Sequence, residues 1–124
     1  MRRLSLVVGL CLLAGCASQP SRKYVVFFTR DSVKLEDPAL WVVTHAAQQA
    51  ARDPQSVITV EGYAAAHGDL SADALLAVDR AKKVASQLVA DGVAAGRIRQ
   101  MPRAPSNEDG AVGSRRVEIE IGAS

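Results

Sequence analysis

The residue order predicts an α/β chain of the α+β kind, built on a mixed sheet. Runs of β-branched and aromatic residues alternate with longer stretches of helical spacing. The order they give is strand, helix, strand, helix, strand, strand (βαβαββ). A helix between two strands favours parallel pairing through a right-handed crossover, and a final hairpin adds an antiparallel pair. At 124 residues, 48% apolar and 23% charged, the chain holds one small domain at most.

Each element has its own signal. Tyr24-Val25-Val26-Phe27-Phe28-Thr29 is a continuous β-branched and aromatic run, which predicts a buried strand. Asp37-Pro38 reads as an N-cap followed by proline at the first helical position. That helix is expected to reach about Arg52, with Leu40, Val43, Ala47 and Ala50 on its apolar face. Asp53-Pro54 stops it, because a residue before proline is pushed out of the helical region. Val57 to Glu61 is the second strand, ended by Gly62. A second helix is expected from Ser71 or Ala72 to Asp91, with Ala77, Ala81, Val84 and Leu88 buried and Gly92 as its left-handed C-cap. Arg97 to Met101 is an amphipathic strand, and Pro102 to Gly113 a loop rich in proline, glycine and small polar residues. Arg115 to Ile121 closes the chain as a strand in which Val117, Ile119 and Ile121 alternate with Arg116, Glu118 and Glu120.

The first residues stand apart. Met1-Arg2-Arg3 is basic, Leu4 to Leu13 is apolar but too short to span a bilayer, and Leu13-Ala14-Gly15-Cys16 follows. This looks like a bacterial lipoprotein signal over residues 1–15, cut before Cys16, whose thiol would carry a diacylglycerol. Two or more acyl chains anchor a protein stably where one does not. Ala17 after the cysteine, by resemblance to the sorting rule for such lipoproteins, favours the outer membrane, with the domain facing the periplasm. A tether with its cysteine is expected over residues 16–23 and the domain over 24–124. Six extended tether residues reach only about 20 Å, at ~3.3 Å each. Removal of Arg2 and Arg3 leaves thirteen basic and thirteen acidic side chains, a formal balance of zero. Such a balance gives no basic excess to argue for nucleic acid. Cys11 is removed as well, so the mature domain has no disulfide.

The span Gly62-Tyr63-Ala64-Ala65-Ala66-His67-Gly68, followed by Asp73, Leu76 and Arg80-Ala81, has a distinctive spacing. It resembles the peptidoglycan-associating loop and helix of the OmpA-like family. That pattern runs Gly-x-x-Asp-x-x-Gly, then Asn, Leu and Arg-Ala at the spacings found here. Ala65 stands where the family has its Asp, and Asp73 where it has Asn. Ser114-Arg115-Arg116-Val117 likewise resembles the family's Asn-Arg-Arg-Val, with Ser114 in place of Asn. The likeness covers Tyr24 to Ile121 and implies a mixed sheet with two helices packed on one side.

It also implies a ligand. In the family, the loop Asp and the helix Arg hold the zwitterionic head of diaminopimelate in the peptidoglycan stem peptide. A guanidinium forks onto a carboxylate with two charge-assisted hydrogen bonds, and a nearby carboxylate then selects a ligand carrying both charges. The resemblance assigns the carboxylate to Arg80, with Arg115 or Arg116 assisting. A methyl at Ala65 accepts nothing from an ammonium, and losing such a partner costs ~2–5 kcal/mol, thirtyfold or more in affinity. Asp73 and Asp69 are the candidate substitutes. Asp73 stands two turns before Arg80, where it would receive the ammonium, pair with Arg80, or simply favour the positive end of the helix.

Other chemistry is thinly represented. His45 and His67 lack metal-ligand spacing, and His45, one turn after Trp41, is expected to pack on it. His67 reads as a loop-shaping residue, and Tyr63 as a ligand stack or the end of the second strand. No nucleophile, acid and base converge as catalysis requires, so neither an enzyme nor a cofactor is expected. Two readings remain: a peptidoglycan-binding lipoprotein that ties membrane to wall, and a docking module for other envelope proteins that keeps the fold without the ligand pair.

Overall fold

The structure, a computed structural model, describes residues 21–122. The expected signal, Cys16 and most of the tether lie outside the described residues. Strands β1 (Arg22–Phe27), β2 (Ile58–Gly62), β3 (Ile98–Pro102) and β4 (Arg116–Ile121) form one sheet in the order β1-β4-β2-β3. Helices α1 (Asp37–Arg52) and α2 (Leu70–Ala90) and a short α3 (Gly110–Gly113) complete the chain.

β4 is antiparallel to both β1 and β2, whereas β3 runs parallel to β2. The expected terminal hairpin is therefore corrected: β3 and β4 are not partners. Burial explains the exchange. Val117, Ile119 and Ile121 of β4 are at most 5% exposed, so this strand belongs at the centre of the sheet. β3 is exposed at all but Ile98, which is itself only half-buried, so it fits the edge. The segment read as a hairpin loop, which includes α3, is long enough to carry the chain across the sheet.

β1 is also less buried than its composition suggests. Val26 is enclosed while Phe27 is 53% exposed, because β1 is an edge strand and only one face of the sheet is covered. Val26, Ile58, Val60, Val117 and Ile119 share the covered face, and both long helices pack there. The expected stripe of α2 is buried at all four positions, Ala77, Ala81, Val84 and Leu88. On α1, Val43, Ala47 and Ala50 are buried and Leu40 is half-buried, with Ala39 and Ala46 completing the face.

The helix ends shift slightly. α1 has Glu36, not Asp37, at its N-cap, and proline follows within its first two positions. α2 starts one residue before the expected range, because the Asp69 carboxylate accepts from the Ala72 amide at 3.1 Å. Gly92 has φ +105°, the left-handed backbone expected after the helix. At the other end of β2, a Cβ on Gly62 would run into the carbonyl oxygen of Ala77. Only glycine lets the strand pass this close to α2, and the loop that follows starts from that contact.

Candidate functional site

The four strands present one end where β1 and β2 finish and β4 begins. A cavity of about 280 Å³ opens there. Its walls come from the loop after β1, the loop after β2, the first half of α2 and the segment entering β4.

Arg80 lines it from α2. It is 1% exposed, yet no carboxylate lies within ion-pair distance among the described residues. Its Nε donates to the Ser32 carbonyl oxygen at 2.9 Å and its Nη2 to the Thr29 carbonyl oxygen at 3.2 Å. The guanidinium also stands 5.3 Å from the Phe28 ring centroid, a cation–π distance. Burial pulls its pKa below the ordinary arginine value, Asp31 pulls it back up, and Arg115 adds to the lowering. An arginine keeps its charge through such shifts. Nη1 makes no hydrogen bond among the described residues, and no buried side-chain polar atom there lacks one. This nitrogen therefore keeps an open edge.

Arg115 lines the same cavity and donates from Nε to the Phe28 carbonyl oxygen at 3.3 Å. Three carbonyls of one loop (Phe28, Thr29 and Ser32) thus hold two guanidinium groups beside each other. Like charges placed so close favour an anion between them. Asp31, from that loop, also lines the cavity. It has φ +55°, a left-handed conformation that Asp tolerates better than most residues.

Arg116 turns to the other face, as strand alternation requires. Its guanidinium lies 3.6 Å from the Tyr63 ring centroid and 3.5 Å from Glu118. It does not line the cavity. Tyr63 is 5% exposed, donates to Glu118 at 2.7 Å and accepts from Arg103 at 2.8 Å. Burial first, and then the bond to Glu118, raises its pKa. It anchors the end of β2 and does not face the cavity.

The two acids named from the sequence do not reach Arg80. Asp69 caps α2. Asp73 accepts from the His67 backbone N–H at 2.6 Å and from His67 Nδ1 at 3.1 Å. These bonds, the backbone one above all, hold its carboxyl below the ordinary value. The acid the sequence reading missed is Asp31, for which no motif spacing gives a signal. Ala65 and His67 of the β2–α2 loop both line the cavity. His45 accepts its expected role, stacked on Trp41 with ring centroids 3.7 Å apart. No group of three metal-ligating side chains gathers among the described residues.

Residues 27–116 match the OmpA family. The chain belongs to the OmpA family. No curated sequence matches it significantly. Among solved structures, the OmpA fold recurs in the peptidoglycan-associated lipoprotein from Burkholderia pseudomallei, with TM-score 0.70, 21% identity, and 77% of this chain and 87% of that one covered. The OmpA-like domain of FopA1 from Francisella tularensis gives 0.72, 20% identity, and 83% and 73% coverage. The periplasmic domain of Helicobacter pylori MotB gives 0.66, 17% identity, and 80% and 71% coverage. At these identities the likeness is one of fold. Four of the residues lining the cavity, Ala65, His67, Leu76 and Arg80, come from the span between Gly62 and Arg80.

Proposed function

We propose that this OmpA-family domain binds peptidoglycan non-covalently through the diaminopimelate of its stem peptides. The observation that carries the proposal is the convergence of Arg80 and Arg115 on one cavity, with Asp31 beside them. The open edge of Arg80 and the Arg115 guanidinium would take the ligand carboxylate. Asp31 would face the ammonium that Ala65 cannot serve. Asp73 and Arg116, tied elsewhere, would support the loop and the sheet. The role is binding, not catalysis.

The domain would be held by lipid on Cys16 at the outer membrane, facing the periplasm. Geometry supports that arrangement. β1 starts at Arg22, within the last two residues of the expected tether, and the cavity lies beyond the strand's far end. Six strand residues separate the two by about 20 Å. A membrane anchor and a wall ligand would then pull on opposite ends of one sheet. The names of the similar structures, a peptidoglycan-associated lipoprotein and a periplasmic domain, support an envelope location.

Retention of the purified protein on isolated sacculi tests the proposal. The parent should co-sediment, Arg80→Ala should not, and Ala65→Asp should be retained more strongly. Equal retention of parent and Arg80→Ala would place binding elsewhere. Ala65 itself favours a second reading, a docking module for envelope proteins. Crosslinked partners with no sacculus retention, unchanged in Ala65→Asp, would support that one.

A further inference from the structure

Resting on the binding site just proposed, we infer that His67 is a specificity residue, its imidazole Nε2 accepting an N–H from an ammonium-bearing ligand.

The ring is held from both sides of its loop. Asn107 pins the preceding residue, donating to the Ala66 carbonyl oxygen and accepting from the Ala66 amide, each at 3.0 Å. Asp73 takes the His67 amide at 2.6 Å and the ring Nδ1 at 3.1 Å. An ionised carboxylate only accepts, so Nδ1 must carry the ring proton. In a neutral ring the other nitrogen is then a lone pair. Nε2 makes no hydrogen bond among the described residues, and the ring lines the cavity two positions from Ala65. The methyl of Ala65 accepts nothing from an ammonium, and His67, which lines the same cavity, carries an acceptor. Asp73 acts here as a positioning residue, setting the tautomer through Nδ1.

The cavity's three arginines make this matter. Arg30, Arg80 and Arg115 attract any anion, so a carboxylate alone does not select for an amine. An ammonium has three N–H groups to place. Asp31 supplies one acceptor and His67 would supply another. The charged groups that share its surroundings are Asp73 and Arg80 from α2, Arg30 and Asp31 from the loop after β1, and Arg115 before β4. Amine selectivity should therefore depend on the imidazole acceptor.

The test compares two probes by calorimetry. One is a muropeptide carrying free meso-diaminopimelate, the other the same peptide with the side-chain amine acetylated. The full protein should prefer the free amine by about tenfold more than His67→Phe does, the value of one charge-assisted hydrogen bond. His67→Gln, which keeps an acceptor, should retain part of that preference. A preference unchanged in His67→Phe would overturn the inference while leaving the binding site standing. Failure of the parent to bind either probe would overturn both.

Discussion

Arg80 Nε donates to the carbonyl oxygen of Ser32 across 2.9 Å, joining α2 to the loop after β1. The buried guanidinium is tied to backbone, and no carboxylate among the described residues lies within ion-pair distance of it. Its two hydrogen bonds to carbonyls contribute ~1.5–3 kcal/mol each, set against a desolvation cost of several kcal/mol.

These terms nearly cancel, so Arg80→Met, which keeps most of the volume, should change stability by about 1 kcal/mol or less. Thermal and urea unfolding check this. A loss above about 3 kcal/mol would mean that Arg80 is a structural residue first.

Gly62→Ala should cost more. The added Cβ meets the Ala77 carbonyl oxygen and lies 3.2 Å from the Ala81 Cβ, neither of which is a flexible chain end. Overpacking of this kind costs ~1–3 kcal/mol. The urea midpoint of Gly62→Ala should fall accordingly, and an unchanged midpoint would show that β2 and α2 separate easily.

Asp73 gives a pH signature. Its carboxyl is held low in the folded state, chiefly by the His67 amide. A depressed folded value stabilises fully above the ordinary carboxylate value of about 3.9, and that stability is lost as pH falls through the folded value. Asp73→Asn should therefore be less stable than the parent at pH 6, with the gap narrowing towards pH 3. Urea midpoints measured across that range decide it, and a constant gap would contradict the assignment.

Much of this was legible in the residues. The α2 stripe of Ala77, Ala81, Val84 and Leu88 follows from one helical period, and the alternation of β4 already sends Arg115 and Arg116 to opposite faces. Pairing was harder to read. Nothing local in Arg116 to Ile121 says that it enters between β1 and β2, since burial of the whole strand decides this and adjacency in the chain does not. Asp31 was invisible for a similar reason. It lies 49 residues before Arg80 in an irregular loop, and only the folded chain brings the two to one cavity. The role of Asp73 was open because spacing puts it near the face of Arg80 but does not reveal the His67 amide that claims it.

The most direct test of the central claim is calorimetric titration of the purified protein with a diaminopimelate-containing muropeptide, parent against Arg80→Met. Saturable binding by the parent, weakened thirtyfold or more in a variant that remains folded, is the expected result, since one partner of a charged pair in a site contributes ~2–5 kcal/mol. Equal affinities for the two proteins, or no binding by the parent, would contradict it.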